Sequence, residues 1–301
     1  MPDQSPPSRA FVLGLADADG HLDANALFEL GAAVGLTQTT IRLAVRRLAD
    51  SELVVTEGRG RQATISLTPA GLAQRAPDLG WTALAYRHDR HAVPWARQWH
   101  LVSFSIPESA RAGRDALRDY LIELIGAPLA GGLYVSHFDW EPWVRAAAAH
   151  YDVASHVTTA PTYSLNIGGE RDPRVIAAHL WRLTEMHDAV EAFLTRWDGT
   201  IRDAQTDLGD AARAVFAMSN EFEQMIRRDP LLPPELAPQG WRGAEVRSVY
   251  RDTIEALAVS HPIIAKANVF SAYLTAIASA ETMDDSTFND WFWNETKPKP
   301  T

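Results

Sequence analysis

Thr37-Gln38-Thr39-Thr40-Ile41-Arg42-Leu43-Ala44-Val45-Arg46-Arg47-Leu48-Ala49-Asp50 reads as a helix with two unlike faces. Thr37 is a good N-cap, and Ile41, Ala44, Val45 and Leu48 fall at i, i+3, i+4 and i+7, a stripe for burial. At about 100° per residue, Thr39, Arg42, Leu43 and Arg46 project from the other side. Arg47 lies on the flank and Gln38 at the exposed first turn. Upstream, Asp23 can cap a helix carrying Leu27, Leu30 and Val34, Gly35 ends it, and Leu36 is poised to staple into the helix that follows. Residues 11–16 form an earlier apolar helix that breaks at the turn-rich run Asp17-Ala18-Asp19-Gly20-His21.

Downstream, Leu53-Val54-Val55-Thr56-Glu57 and Arg61-Gln62-Ala63-Thr64-Ile65-Ser66-Leu67 are two β-prone runs around Gly58-Arg59-Gly60, a hairpin. Thr68-Pro69-Ala70-Gly71 then restarts a helix, with a capping threonine and proline at the first helical position. Helix, helix, helix, hairpin, helix is the order of a winged helix-turn-helix. On that reading the outward helix face carries base-reading chemistry. Arginine bonds guanine bidentately, glutamine pairs with adenine and an apolar group meets the thymine methyl. The candidate DNA-binding residues are therefore Gln38, Thr39, Arg42, Leu43, Arg46 and Arg47, with Arg59 and Arg61 of the wing expected on the backbone or in the minor groove.

The net charge of −10 argues against a nucleic-acid partner only if it is spread evenly. It is not: the first 90 residues hold nine basic groups against ten acidic, so almost all the excess lies beyond them. Five arginines fall between positions 42 and 61. With no cysteine among the 301 residues, disulfides, thiolate metal sites and a cysteine nucleophile are excluded. Met1-Pro2-Asp3-Gln4-Ser5-Pro6-Pro7 lacks a basic start and apolar run, and no stretch is apolar enough to span a membrane, so a cytoplasmic location is expected.

The length suits two or three domains. Residues 1–90 are the expected DNA-binding domain. Residues 91–170 read as a second, opening on the strand-like Leu101-Val102-Ser103-Phe104-Ser105-Ile106. A helix at 108–125, strands near 129–130 and 132–136, a helix at 141–150 and extended runs at 154–158 and 162–167 follow. This β-α-β-β-α-β order fits a ferredoxin-like sandwich with both helices on one face of an antiparallel sheet. Residues 171–301 read as all-α, with helices at 172–197, 210–228, 243–259 and 266–282. The proline-rich link Asp229-Pro230-Leu231-Leu232-Pro233-Pro234-Glu235-Leu236-Ala237-Pro238 is an ordered loop or single turn. The fold class expected is thus multi-domain α+β.

With these pieces placed, the chain resembles the PaaX family of phenylacetate-degradation repressors over nearly its whole length. Three stretches carry the resemblance: residues 40–48 with the wing and Leu67-Thr68-Pro69-Ala70-Gly71; Trp99-His100-Leu101-Val102-Ser103-Phe104-Ser105-Ile106-Pro107-Glu108; and residues 229–236 with Trp241-Arg242-Gly243. It implies a homodimeric repressor with a Cas2-like central domain and a small-molecule effector of the acyl-CoA or aromatic acid type; a two-fold dimer in turn calls for an inverted-repeat operator. No cofactor is expected besides that effector. No effector residues are named: Trp95, Trp99, Trp140, Trp143, Trp181 and Trp197 read first as core and interface.

Two alternatives stand beside this reading. A Cas2-like domain can act as a metal-dependent nuclease when carboxylates of its first strands hold the metal, but Ser105 stands where family members often carry an aspartate, and a neutral hydroxyl is a poor substitute. A regulator controlled by a protein partner rather than a ligand is the other. His179 and His187, eight apart, lack the spacing of a zinc site.

Overall fold

The computed structural model describes residues 6–58, 64–91, 94–197 and 207–297. In chain order the first elements are α1 (Ser8–Leu13), β1 (His21–Leu22), α2 (Ala24–Ala33), α3 (Gln38–Asp50), β2 (Val54–Glu57), β3 (Thr64–Leu67) and α4 (Pro69–His91). Next come β4 (Trp99–Phe104), α5 (Arg111–Glu123), β5 (Ala127–Ala130), β6 (Leu133–Ser136), α6 (Glu141–His150) and β7 (Val157–Thr162). The rest is helical: α7 (Pro173–Leu180), α8 (Leu183–Trp197), α9 (Leu208–Ile226), α10 (Gly243–Ser260), α11 (Pro262–Lys266), α12 (Ser271–Thr282) and α13 (Asp285–Thr296).

Three consecutive domains, 1–90, 91–170 and 171–301, were the expectation; the compact units cut across those bounds. One unit gathers residues 1–87, 191–226 and 243–295, and the other gathers 88–190, 227–242 and 296–301. The physical reason in the first unit is a shared core. Phe11, Leu27, Leu30, Ile41, Leu48 and Ile65 bury in one cluster with Ala211, Val215 and Phe216 of α9, Leu257 of α10 and Ile264 of α11. The N-terminal helices alone are too short to bury their own apolar stripes, and α9 completes them. Phe11 and Phe216 meet with ring centroids 5.0 Å apart. Arg213 Nη1 donates to the Ala33 carbonyl at 3.1 Å, one of the acceptors that the end of α2 leaves without a helical partner.

Local signals explain the helix starts. The Asp23 carboxylate accepts from Ala26 N at 2.9 Å, and Thr37 Oγ1 accepts from Thr40 N at 3.1 Å. Between α2 and α3, Gly35 sits at φ +83°, a conformation that disfavours a side chain, and Leu36 N donates back to Gly31 O at 2.8 Å. The three strands of this unit run antiparallel in the order β1-β3-β2. β1 begins at the end of the turn-rich run; two residues carry no period, and only pairing with Ser66 and Ile65 makes them a strand.

Gly209, at the start of α9, lies against the end of α2: a Cβ there would stand 2.5 Å from the Ala33 carbonyl oxygen. Backbone cannot yield as a flexible side-chain end does, so Gly209→Ala is expected to destabilise the first unit by about 1–3 kcal/mol. Urea unfolding followed by far-UV circular dichroism measures this, and an unchanged midpoint would show that α9 is not packed as described.

The second unit holds an antiparallel sheet ordered β5-β6-β4-β7. With the intervening helices this is β-α-β-β-α-β in the ferredoxin-like strand order. Both faces are covered, where the sequence promised helices on one. Trp99 and Leu101 of β4 share a face with Val135 and Ala127. That face packs on Ile176 and Ala177 of α7, Leu183, and Leu232, Leu236 and Ala237 of the proline-rich link. The opposite face, with Val102 and Tyr134, buries against the apolar sides of α5 and α6, where Leu117, Leu121, Val144 and Ala147 are buried.

The two extended runs expected at 154–158 and 162–167 resolve into one strand, β7, paired along β4 from Trp99↔Thr162 to Phe104↔Val157. The helix expected over 172–197 is broken: Arg182 lies at φ +51° between α7 and α8. Trp181 is the reason, since its indole N–H donates to the Ile125 carbonyl at 2.9 Å and its ring stacks on Trp99. The helix expected over 266–282 is likewise split, with Phe270 at φ +53° donating its N–H to Gly14 O at 2.9 Å. A closing helix, α13, follows beyond the last helix expected from sequence, and Phe288 and Phe292 are buried in it.

Candidate nucleic-acid interface

The buried side of α3 consists of Ile41, Ala44 and Leu48. Gln38, Thr39, Arg42, Leu43, Arg46 and Arg47 are all exposed within the chain, so the structure brings together on one helix six of the eight residues singled out from sequence. Arg59 and Arg61 lie outside the described residues.

Each exposed group has a distinct setting. Arg46 Nε stands 4.0 Å from the Asp50 carboxylate, with both side chains open to solvent (80% and 70%), a pairing worth little that leaves the guanidinium ready to turn. Arg42 is more constrained: its Nη2 donates to Gln38 Oε1 at 3.4 Å, and its guanidinium carbon lies 5.7 Å from the centroid of the Phe28 ring. Leu43 keeps 45% of its surface exposed. Its neighbours at i−4, i+3 and i+4 are Thr39, Arg46 and Arg47, so this apolar spot is framed by hydrogen-bonding and cationic groups. The face can donate to phosphates, bond base edges and offer an apolar contact, all from a helix braced through its opposite stripe.

Phe28 is the neighbour of this face that sequence reasoning missed. It belongs to α2, ten or more residues from the α3 face, and nothing in its own helix period marks it. Only the crossing of α2 and α3, made close by Gly31, sets its ring against Arg42. A Cβ on Gly31 would stand 2.2 Å from Ile41 Cδ1.

The other chemistry-bearing residues are engaged in packing. Trp99 and Trp140 are fully buried. Trp95 lies edge-on to Trp99 with centroids 5.1 Å apart. Ser105, where a nuclease would need a carboxylate, donates its backbone N–H to His156 O at 3.1 Å. Among the described residues, no group of three or more His, Asp or Glu side chains is placed to hold a metal ion. No helix is long and apolar enough to cross a membrane among these residues.

His137 makes a measurable prediction in the second unit. Its Nε2 faces the Pro230 carbonyl at 2.7 Å, and its ring meets Trp181 edge-on. Burial holds the imidazole from its ordinary 6.5 down to about 4. The unfolded chain takes up a proton there below pH 6.5 that the native chain refuses until about pH 4, so stability is full above this window and falls as pH drops through it. Of the order of 2–3 kcal/mol is expected to be lost between those limits. His137→Gln, which keeps a donor for Pro230 and takes up no proton, should lose less over the same range. Denaturant melts at pH 7 and pH 4.5, read by tryptophan fluorescence, test it; parallel losses in both proteins would refute the assignment.

Comparison with known proteins then places the chain. Residues 92–174 match the PaaX protein central Cas2-like domain, and residues 181–266 match the PaaX-like protein C-terminal domain, together more than half the chain. A solved structure titled "Uncharacterized protein Rv0674 from Mycobacterium tuberculosis" is similar at 25% identity with a TM-score of 0.57, covering 86% of this chain and 98% of that one. No curated protein matches. The four-stranded sheet thus lies within the first match and helices α8 to α11 within the second, and the chain belongs to the PaaX family.

Proposed function

We propose that this transcriptional regulator is a repressor whose residues 1–90 form a winged helix-turn-helix, with α3 as the helix that enters the major groove. The observation that carries the reading is the outward face of α3, where Gln38, Thr39, Arg42, Leu43, Arg46 and Arg47 are exposed together while Ile41, Ala44 and Leu48 anchor the helix from behind. Phosphate contacts position such a helix and base-edge contacts specify its site. Leu43 supplies the apolar contact to a thymine methyl, Gln38 and the arginines the polar ones, and the wing arginines Arg59 and Arg61 the backbone or minor-groove contacts.

The chain acts as a homodimer on an imperfect inverted repeat, with half-sites about 10 bp apart or a multiple of that. A small organic effector, an acyl-CoA or a related aromatic or carboxylic metabolite by family resemblance, releases the operator. A hundredfold loss of affinity on effector binding corresponds to about 2.7 kcal/mol of coupling. The experiment is selection of duplexes from a randomised pool with the full chain at low salt, followed by sequencing. Enrichment of an inverted repeat supports the reading. A pool that stays random, with no duplex held at low ionic strength, rejects it.

A further inference from the structure

Resting on the reading of α3 as the groove-entering helix, we propose that Phe28 of α2 is a positioning residue that seats the Arg42 guanidinium for recognition of one guanine in each half-site. An unattached arginine on a helix surface samples many rotamers, and its planar fork reads guanine O6 and N7 only in one orientation. Arg42 is held at two points. The face of the Phe28 ring attracts the cation from 5.7 Å, and Gln38 Oε1 accepts from Nη2 at 3.4 Å. Phe28 is itself fixed, since it is half-buried and packs against the core that contains Ile41 and Leu48. The contrast on the same face is Arg46, whose partner, Asp50, is a distant exposed carboxylate. One arginine of the pair is thus set in place before DNA arrives and the other is left to follow phosphate or base as the duplex requires.

Phe28 carries no charge, so removing its ring leaves the count of neutralised phosphates as it was, and the salt dependence of binding with it. What changes is the preference for guanine at the position Arg42 reads. An exposed cation–π contact of about 0.5–1 kcal/mol corresponds to a two- to fivefold effect.

The test uses the full chain and the duplex enriched from the randomised pool, with each guanine of a half-site replaced in turn. Arg42→Ala locates the guanine whose replacement no longer matters. Phe28→Leu is expected to reduce discrimination at that position two- to fivefold, with the salt slope and the other positions unchanged, and Phe28→Tyr, which keeps the ring, is expected to restore it. Circular dichroism melts show whether each variant is folded. If Phe28→Leu leaves discrimination at that guanine unchanged, weakens all duplexes alike, or alters the salt slope, the seat is not a readout device and the proposal is overturned. If Phe28→Leu does not fold, the decision falls to the Tyr variant with Gln38→Ala, which frees the second hold; unchanged guanine preference in Gln38→Ala and altered preference in Phe28→Tyr would overturn it. A pool that yields no duplex overturns the function itself, which is a separate outcome.

Discussion

Replacing Arg42 and Arg46 together by alanine is expected to weaken binding to the selected inverted repeat at least a hundredfold while leaving the melting of the protein nearly unchanged. The two halves of this expectation have separate causes. Binding falls because each bidentate base contact is worth about 1–3 kcal/mol and the substitutions remove two cations from the α3 face. Stability holds because neither side chain is buried and neither makes a costly partner: the Arg46–Asp50 pair is open to solvent, and Arg42 rests on Phe28 from outside the core. Salt titration divides the loss further. An arginine that bonds only a base leaves the slope of log K against log salt as it was, whereas each lost phosphate contact flattens it by about 0.9. A double variant that binds the repeat as tightly as the parent chain would show that α3 is not the reading helix.

The second large effect concerns stability. Arg87, near the end of α4, is buried, and both terminal nitrogens of its guanidinium donate hydrogen bonds. Nη1 donates to the carbonyls of Ala280 and Met283 at 2.6 Å each, Nη2 donates to Asp285 Oδ1 at 2.6 Å, and the group lies 4.7 Å from the Phe288 ring centroid. Ala280 and Met283 are at the C-terminal end of α12, where helix carbonyls lack internal partners, and Asp285 is the first residue of α13. One cation therefore caps one helix, meets the start of the next and covers an aromatic ring. Arg87→Met keeps most of the apolar stem and removes every donor, leaving the buried Ala280 carbonyl and the partly buried Met283 carbonyl unmatched, while the exposed Asp285 carboxylate turns to water. About 3 kcal/mol of lost stability is expected, from unsatisfied buried groups at roughly 1–3 kcal/mol each less relaxation. For a unit of this size that is a fall in melting temperature of about 6–12 °C. Differential scanning calorimetry measures it, and a shift below 2 °C would mean that water replaces the guanidinium without loss.

Phe216 of α9 and Ile41 of α3 belong to one buried cluster, and Arg213 ties α9 to the end of α2. Close-packed interiors respond to displacement in steps rather than smoothly, so a shift of α9 is felt by the helix that carries Arg42.

Local physics was readable in the sequence wherever one short stretch contains both partners of an interaction. Asp23 and Thr37 cap helices three residues away, Gly35 takes the left-handed turn, and the stripe Ile41, Ala44, Leu48 is a property of a single helix. The exposed face of α3 follows from that stripe by geometry alone, and so does the β-α-β-β-α-β order from alternating periods. Contacts between distant segments had no such signal. His21 and Leu22 become a strand only beside Ser66 and Ile65, and the helix at 172–197 breaks because Trp181 reaches Ile125. The seat of Arg42 on Phe28, the capture of Arg87 by α12 and α13, and the completion of the N-terminal core by α9 likewise join residues far apart in the chain. Periodicity and capping are encoded within a turn or two of backbone, so the amino-acid order by itself decides which face of a helix is apolar; which other surface meets that face depends on chain closure over tens to hundreds of residues, and only tertiary packing decides it.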